Sequence, residues 1–390
     1  MKIKVGVIFG GESVEHEVSV ISALQAIESM NKEKYDIVPI YISKDRVWYS
    51  GEALLKVDNY KDLDNLKKVC KEVTLCKVNG EFCLINTKGL MNKVVEKIDV
   101  AFPIVHGQNV EDGTLAGYLD TVGIPYVGSG VLGASLGQDK VVIKQILGNV
   151  GVPVVDYVWF YDVEFENDKE KYLKLINDMG YPVVVKPASL GSSVGINFIK
   201  NEKTIEDAIN EAIEYDKKII VEKAVDNLLE VNCSVVGNYS IQEASVIEEV
   251  MSANSILTYE DKYIGESKSK GASKGMVNAS RRIPANISDK LTHDIEETSK
   301  EVFKVLNLSG VCRIDYLIDS KTNKYYVNEP NTIPGSLSFY LWEPKGKKYS
   351  ELLDDLITMA IKDYKNKLKK TYCFDTNILK NFNGLKGSKK

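Results

Sequence analysis

Strand-like and helix-like patterns of apolar residues alternate along the first third of the chain. The run KIKVGVIFGG predicts a buried strand that ends in two glycines, and SVISALQAIESMN places its apolar residues at helical spacing. DIVPIYIS and KIDVAFPIVHG continue the pattern as further strands. This alternation predicts a parallel, doubly wound α/β domain over residues 1–126, because parallel strands are joined by helical crossovers. The charged, weakly patterned segment from Gly51 to Leu90 indicates an inserted hairpin and helix.

The pattern changes near Val127. GASLGQDKVVIKQILGNVGVPV predicts a helix that ends at Gly151, with Pro153 just beyond it as a stop signal. YPVVVKPAS, VGINFI and KIIVEKAV then form three strand-like runs around the helical pattern TIEDAINEAIEYD. We therefore expect an α+β domain with an antiparallel sheet over residues 127–225.

A third block, residues 226–365, contains four strand patterns and two amphipathic helices. The strands are LLEVNCSVVG, IQEASVIEEV, GVCRIDYLID and KYYVNEP. Between them, Tyr259 to Ser280 is poor in apolar residues and rich in Lys, Ser and Gly, and a loop of this length inside a compact domain is usually functional or disordered. Residues 366–390 are rich in lysine and predict a peripheral tail.

Composition narrows the class of protein. The chain has 390 residues, which suits two or three domains, and its 44% apolar and 27% charged residues are typical of a globular protein. A net charge of −5 gives no basic footprint for nucleic acid. The six cysteines are scattered and only three histidines occur, so neither a disulfide framework nor a His-rich metal site is expected. With no signal-peptide pattern and no membrane-spanning run, we expect a cytoplasmic protein that does not insert into a membrane.

The first glycine turn is a candidate ligand site. Gly10 and Gly11 follow the first strand, and ligands of such sheets bind beyond the carboxyl ends of the strands. The acidic residues Glu12, Glu15 and Glu17 favour a ligand ammonium over a phosphate at this turn. A solvated helix start capped by acids explains the same residues equally well.

A second strand ends in FPIVHGQNVEDGTLAG. It places His106 at a carboxyl end, where a ligand crevice is expected. Taken alone, a single histidine of this kind is more often a core residue with a backbone partner.

The third block ends in two strands with oxygen-bearing side chains. CRIDY and YYVNEPN supply Asp315, Glu329 and Asn331, and Arg313 shares a strand face with Asp315. Two carboxylates and an amide oxygen suit Mg²⁺ that carries nucleotide phosphates. A cross-strand salt-bridge network is the alternative. It is disfavoured because NTIPGS follows at once with a glycine and free backbone N–H groups.

The segment VKPASLGSSVG carries Lys186 before a Gly/Ser turn, which allows close backbone approach to phosphate or forms a flexible surface turn. It is not a P-loop, in which the lysine follows the last glycine. EKAV, from Glu222 to Val225, ends a later strand and suits recognition of an adenine edge. An exposed strand end is an equally good interpretation.

Eight segments in fixed order resemble the D-alanine–D-alanine ligases of the ATP-grasp superfamily, over about residues 3–362. They are GGESVEHEVS, HGQNVEDGT, GASLGQDK, VVVKPASLGSSVG, VEKAV, YEDKY, RIDY and NEPNTIPGS. The resemblance implies an N-terminal Rossmann-like domain followed by a two-subdomain ATP-grasp fold. It also implies a reaction in which D-alanine is phosphorylated by ATP to an acyl phosphate, which the amine of a second D-amino acid attacks.

The resemblance implies roles for residues that match these motifs. Those for ATP are Lys140, Lys186 and Ser193 at the phosphates, and Glu222, Lys223, Val225 and Glu230 at adenine and ribose. Those for two Mg²⁺ (or Mn²⁺) ions are Asp315, Glu329 and Asn331. Those for catalysis are the triad Glu15, Ser192 and Tyr263, with Lys262, Arg313 and the Gly335 amide. Those for the amino acid substrates are Val18, Ser19, His106, Tyr340 and Leu341.

The chain departs from the family pattern in three places. Val110 and Ala116 replace a glycine and a glutamine after His106. The loop after YEDKY is longer and more polar than usual. Tyr340 and Leu341 occupy positions where smaller polar residues are usual, and Trp342 is close by, so large aromatic side chains are expected to reshape the second-substrate subsite.

Three hypotheses remain for function. The first is a D-alanine–D-X ligase of peptidoglycan precursor synthesis, with D-alanine or D-serine as X. The second is an ATP-grasp ligase for another amino acid or carboxylate pair, and the third is a non-catalytic nucleotide sensor. The intact set Lys186, Arg313, Asp315, Glu329 and Asn331 argues against the sensor. A homodimer is expected from the resemblance alone.

Overall fold

A computed structural model describes residues 2–88, 93–191, 194–251, 280–373 and 380. The strands in these ranges form three sheets that follow one another along the chain, with helices packed against them. No helix among these residues is long and apolar enough to cross a bilayer.

The first sheet has seven strands in the order β6-β5-β4-β3-β2-β1-β7. They are β1 Ile3–Gly10, β2 Tyr35–Ile42, β3 Trp48–Ser50, β4 Lys71–Val78, β5 Glu81–Asn86, β6 Val94–Ile98 and β7 Val100–Pro103. The associated helices are α1 His16–Ser29, α2 Leu63–Val69 and α3 Thr114–Val122, with 3₁₀ turns at Glu52–Leu55 and Val57–Lys61.

Only part of this sheet is parallel. β1 pairs in parallel with β2 and β7, as predicted, whereas β2 to β6 pair antiparallel. The short connections explain the difference, since β4 and β5 are joined by Asn79 and Gly80, both with positive φ, in a tight hairpin. The predicted insertion of a hairpin and a helix between 51 and 90 is confirmed by β4, β5 and α2.

The helix predicted after Val127 is two helices, α4 Val131–Gln138 and α5 Lys140–Asn149. Asp139 separates them with an extended backbone, and its carboxylate accepts hydrogen bonds from the amides of Val141 and Val142. The single-helix prediction was wrong because Asp139 is a strong N-cap in the middle of a continuous apolar pattern.

The second sheet has the order β10-β9-β11-β8 and is antiparallel throughout, as predicted. Its strands are β8 Tyr157–Tyr161, β9 Val183–Pro187, β10 Asn197–Ile199 and β11 Lys218–Lys223. Its helices are α6 Asp162–Asn167, α7 Lys169–Met179 and α8 Ile205–Ile213, with a 3₁₀ turn at Glu202–Thr204. The strand β8 was not among the predicted strands.

The third sheet is antiparallel in the order β14-β13-β12-β15-β16. Its strands are β12 Leu228–Gly237, β13 Gln242–Met251, β14 Ser280–Arg282, β15 Gly310–Asp319 and β16 Lys324–Asn331. The helices are α9 Asp289–Val305 and α10 Tyr349–Lys367, with 3₁₀ turns at Gly335–Leu341 and Glu343–Lys345.

One hydrophobic core joins the first and third sheets. Phe9 and Phe102 of the first sheet belong to the same buried cluster as Leu352 and Leu356 of α10 and Trp342. This shared core holds the carboxyl ends of β1 and β7 near β15 and β16, where the chemically interesting side chains lie.

Candidate active site

One cavity of about 480 Å³ lies where residues of all three sheets converge. The residues suggested by the sequence that line it are Glu15, Val18, His106, Lys140, Lys186, Glu222, Lys223, Val225, Glu230, Arg313, Asp315, Glu329, Asn331, Gly335 and Tyr340. Ser19 and Leu341 are buried and do not line it. Four further residues with suggested roles lie outside the described residues: Ser192, Ser193, Lys262 and Tyr263. The volume lies within the range of small-molecule sites.

The first glycine turn brings Glu15 to the cavity. Gly10 has φ of +95°, and a Cβ there would lie 2.2 Å from the carbonyl oxygen of Ile42, so only glycine fits. Glu15 then forms the N-cap position of α1. A Cβ on Gly107 would lie 3.4 Å from the Glu15 carboxylate, which shows how closely the loop after β7 approaches this acid.

His106 is buried against α1. Its backbone amide donates to the Ser19 hydroxyl at 2.8 Å, and its Nε2 lies 3.2 Å from Ser22 Oγ. Burial lowers the pKa of His106 and outweighs the opposite influence of Glu15, which favours the neutral imidazole. Ser19 thus positions His106 from behind the cavity wall.

Glu111 is a functional candidate that the sequence interpretation missed. Its carboxylate accepts hydrogen bonds from the Gly107 amide, the Ile333 amide and the Thr332 hydroxyl at 2.9 to 3.1 Å. It therefore ties the loop after β7 to the segment after β16. Burial, together with the nearby Glu15 charge, raises the pKa of Glu111 to about 7. Its signal in the sequence was the acidic pair of the segment EDGT, which follows the glycine after His106.

A buried ion cluster lies where β9 and β11 form the cavity wall. Lys186 Nζ donates to Glu222 Oε2 at 2.6 Å and to Asn328 Oδ1 at 3.2 Å. The second Glu222 oxygen lies 3.0 Å from Lys144 Nζ. Burial alone would raise the pKa of Glu222, but the two ammonium groups outweigh it and lower that pKa to about 2. The carboxylate is therefore ionised at neutral pH.

Two further lysines line the same side. Lys140 Nζ lies 3.0 Å from Glu329 Oε2 and donates to the Leu190 carbonyl oxygen at 2.6 Å. Lys223 instead turns its ammonium to the carbonyl oxygens of Gly180 and Tyr181, at 3.1 and 2.9 Å. The Lys140 ammonium thus pairs with the carboxylate of Glu329, whereas the Lys223 ammonium is hydrogen-bonded to backbone carbonyl oxygens.

The acids of β15 and β16 form a compact group. Asp315 and Glu329 are direct cross-strand partners, as are Arg313 and Asn331. The Arg313 guanidinium donates twice to the Asp315 carboxylate, at 2.7 and 2.8 Å, and the Asn331 amide donates to the same carboxylate at 3.1 Å. This arrangement gathers three oxygen-bearing side chains beside one fixed positive charge.

The segment after β16 is held by the first domain of the chain. Ser336, Leu337 and Ser338 have φ near +50°, a left-handed turn directly after Gly335. The Ser336 amide donates to Ser22 Oγ at 3.1 Å, and its hydroxyl donates to the Gln25 side chain at 2.7 Å. Such a turn of non-glycine residues is strained and persists only where its surroundings fix it.

Tyr340 is the aromatic residue that faces the cavity near Gly335. Its hydroxyl donates to the Glu248 carboxylate at 3.0 Å, and the Arg281 guanidinium carbon lies 4.7 Å from its ring centre. Asn232 also donates to Glu248, at 2.9 Å. The Tyr340 hydroxyl is therefore already committed to an internal acceptor.

Trp342 does not reshape the subsite in the way the sequence suggested. It is completely buried, and its indole N–H donates to Ser234 Oγ at 3.3 Å. Its ring belongs to the core shared by the first and third sheets. The aromatic influence on this part of the cavity thus comes from Tyr340.

Two family models match the sequence of this chain. The sequence model described as D-ala D-ala ligase N-terminus matches residues 4–129, and the one described as D-ala D-ala ligase C-terminus matches residues 146–358. A D-alanine–D-alanine ligase of Thermosipho melanesiensis is 38% identical over 97% of this chain and 98% of its own length. One of Clostridium acetobutylicum is 39% identical over 92% and 98%.

Solved structures agree with the sequence comparison. The D-alanine–D-alanine ligase of Coxiella burnetii superimposes with a TM-score of 0.78 at 29% identity, over 94% of this chain and 96% of that one. The VanG D-Ala:D-Ser ligase of Enterococcus faecalis gives 0.76 at 29% identity, over 92% and 100%.

Proposed function

Because the chain belongs to the D-alanine–D-alanine ligase family, we propose that it joins D-alanine to a second D-amino acid at the expense of ATP. The observation that carries this proposal is that one cavity is lined by three kinds of charged residue. These are two lysines suited to phosphates (Lys140 and Lys186), two neighbouring acids (Asp315 and Glu329) and an acid suited to an ammonium group (Glu15). The dipeptide formed would serve as a peptidoglycan precursor.

The nucleotide would lie between the second and third sheets. Lys140 and Lys186 point their ammonium groups into this part of the cavity and suit the phosphates. Glu222, Lys223, Val225 and Glu230 line the adjoining wall and suit adenine and ribose. ATP bound here would place its γ-phosphate near the acids of β15 and β16, because Lys140 contacts Glu329 directly.

The donor set of β15 and β16 fits Mg²⁺. Asp315, Glu329 and Asn331 offer two carboxylates and an amide oxygen, the hard ligands that this ion prefers. When bound, two such ions would neutralise the negative charge of the phosphates during transfer.

The chain's own groups account for the amino acid chemistry. Glu15 binds the ammonium group of the first D-alanine, and His106 lies near the carboxylate of this substrate. The substrate carboxylate attacks the γ-phosphorus of ATP, and ADP leaves. The second amine then attacks the carbonyl of the acyl phosphate. Arg313 and the Gly335 amide stabilise the resulting oxyanion, and phosphate leaves as the peptide bond forms. Ser192, Ser193, Lys262 and Tyr263 keep the roles implied by the family.

The second substrate is D-alanine or D-serine in this proposal, with Tyr340 at its carboxylate end and Leu341 buried behind the cavity wall. One observation favours a different acceptor as a second candidate. Tyr340 uses its hydroxyl for Glu248, and Arg281 lies against its ring, so this wall differs from one of small polar side chains. The alternative function is therefore that of an ATP-grasp ligase for a different amino acid or carboxylate substrate pair.

A substrate panel tests the proposal. Purified protein with ATP and MgCl₂ is given D-alanine alone, D-alanine with D-serine, and D-alanine with other D- and L-amino acids. Release of phosphate and the mass of the product are measured. We expect phosphate release that requires D-alanine and a dipeptide containing it. Absence of phosphate release with every pair containing D-alanine would contradict the proposal.

The domain division, the oligomeric state and the cellular location are also proposed. We infer a division into residues 1–126, 127–225 and 226–365 with a tail at 366–390, a homodimer, and action in the cytoplasm. Light scattering of the purified protein tests the dimer, for which twice the chain mass is expected.

A further inference from the structure

Lys144 is a buried charge that the proposed reaction does not yet use. It follows Lys140 by four residues on α5, so the two side chains lie on the same helix face. The Lys144 side chain is 0% exposed and does not line the cavity. A lysine is seldom buried so completely unless a specific partner holds its charge.

The partners of Lys144 belong to both nucleotide-binding sheets. Its ammonium lies 3.0 Å from Glu222 Oε1 as an ion pair, without the alignment of a hydrogen bond, and donates to the Asn328 carbonyl oxygen at 3.2 Å. Glu222 lies on β11 and Asn328 on β16, directly before Glu329. One ammonium therefore connects α5, the adenine-side carboxylate and the strand of the acids.

Lys186 contacts the same two residues from the cavity side. It binds the other Glu222 oxygen and the Asn328 side chain. Burial and Lys186 lower the pKa of Lys144, whereas Glu222 opposes them, as expected when two cations share one carboxylate. Each Glu222 oxygen is therefore matched by one ammonium, so Lys186, which lines the cavity, does not balance the Glu222 charge alone.

We propose that Lys144 is a positioning residue for the nucleotide, which it serves without touching it. From behind the wall it holds Glu222 and the backbone of Asn328, and so keeps Lys186 from being drawn wholly onto Glu222. This inference rests on the proposed nucleotide site. Removal of the Lys144 charge, which lies outside the cavity, should therefore weaken nucleotide binding while leaving the D-alanine site intact.

The test is equilibrium binding of ADP, measured by calorimetry in MgCl₂, for the wild type and Lys144→Met. We expect the Kd for ADP to rise at least about tenfold, with the KM for D-alanine changed less than twofold. Lys174→Met is the control, since it breaks the exposed ion pair with Asp178 on α7 and should leave the Kd unchanged. An unchanged Kd in Lys144→Met would overturn the inference, whereas a wild type that binds no ADP would instead refute the proposed nucleotide site.

A second comparison covers the case in which Lys144→Met does not fold. The double variant Lys144→Met/Glu222→Gln removes one charge of each sign, and its Kd for ADP is compared with that of Glu222→Gln. Equal values would show that Lys144 acts through Glu222, as proposed. A further tenfold loss in the double variant would contradict this coupling.

Discussion

The Glu329 carboxylate lies 3.0 Å from the Lys140 ammonium and directly across the strands from Asp315. A carboxylate in this position can serve as a metal ligand or only as a salt-bridge partner. The two roles differ in how strongly the reaction depends on its charge, because a metal ligand acts on the transferring phosphoryl group and a surface ion pair does not.

Replacing Glu329 with glutamine separates these roles. We expect kcat to fall by about 100-fold or more, since loss of one strong electrostatic contact to a transition state costs this much. Phosphate release at saturating ATP and D-alanine measures it. Glu301→Gln, an exposed change on α9, should leave kcat unchanged. Activity of Glu329→Gln within a few-fold of the wild type would refute the metal assignment.

The Glu111 carboxylate is subject to opposing influences. Three donors favour its ionised form, whereas burial and Glu15 favour the protonated form and prevail, raising its pKa from 4.5 to about 7. Between these values the folded protein binds a proton that the unfolded chain has lost. The contribution of Glu111 to stability is therefore greatest at low pH and declines as pH rises.

Glu111→Gln is expected to remove this dependence. Relative to the wild type, the free energy of unfolding of the variant should gain about 3 kcal/mol as pH rises from 4.5 to 7, since each pKa unit corresponds to about 1.4 kcal/mol. Urea unfolding of both proteins at several pH values measures the difference. Parallel pH profiles for the two proteins would show that Glu111 does not titrate in this range.

Single residues show where sequence interpretation reaches its limit. Asp315 and Glu329 could be predicted to meet because hydrogen-bonded neighbouring strands place them together. Lys144 could not, because within KVVIK it looks like an ordinary exposed helix lysine. Its burial arises only when α5 packs between β11 and β16, a contact between residues 184 positions apart.

At the scale of elements, the start of α5 aims Lys140 at the cavity. The Asp139 carboxylate caps the helix by accepting from Val141 and Val142, and it also pairs with Lys218 at 2.7 Å. Loss of this cap should loosen the turn that carries Lys140.

Asp139→Ala is therefore expected to lower the free energy of unfolding by about 1–2 kcal/mol and to raise the KM for ATP. Chemical denaturation and steady-state kinetics measure the two effects. Asp168→Ala removes the equivalent cap of α7 and should show the stability loss alone. If Asp139→Ala leaves the KM for ATP unchanged, as the control Asp168→Ala should, then the cap of α5 does not position Lys140.

The left-handed turn after Gly335 is a second element with a measurable cost. Ser338 is completely buried with φ of +51°, and its hydroxyl has no hydrogen-bond partner among the residues described here. Both features oppose folding, so the surrounding contacts with Ser22 and Gln25 must offset them.

Ser338→Gly should raise the free energy of unfolding by about 1 kcal/mol, because glycine accepts a positive φ and leaves no unpaired hydroxyl. Thermal unfolding measures the change. Ser338→Ala keeps the Cβ and should give a smaller gain, which separates strain from the unpaired hydroxyl. A destabilised Ser338→Gly would mean that packing at this position outweighs the strain.

Among elements, continuous apolar strands were predictable and irregular ones were not. β1, β9 and β15 follow from their sequence patterns alone. The break at Asp139 and the turn at 336–338 depend on a cap and on contacts with α1, and neither changes the periodicity of apolar residues. Local pattern therefore locates the scaffold better than it locates the segments that position catalytic groups.

At the scale of the whole molecule, the reaction depends on contacts between regions distant in sequence. Glu111 joins the loop after β7 to the segment that carries Gly335, and the core of α10 joins the first and third sheets. The family resemblance of eight ordered segments predicted an ATP-grasp ligase. They did not predict that Tyr340 faces the cavity while Trp342 is buried, because this outcome depends on how the 3₁₀ turn packs.

In the proposed reaction, the cavity activates D-alanine through an acyl phosphate and then joins it to a second D-amino acid. D-alanine labelled with ¹⁸O at both carboxylate oxygens tests this reaction when it is supplied with ATP and MgCl₂ and both products are followed by mass spectrometry. We expect one ¹⁸O in the released phosphate for each dipeptide formed, because the carboxylate oxygen that attacks phosphorus leaves with it. Unlabelled phosphate, or no dipeptide at all, would contradict the proposed reaction.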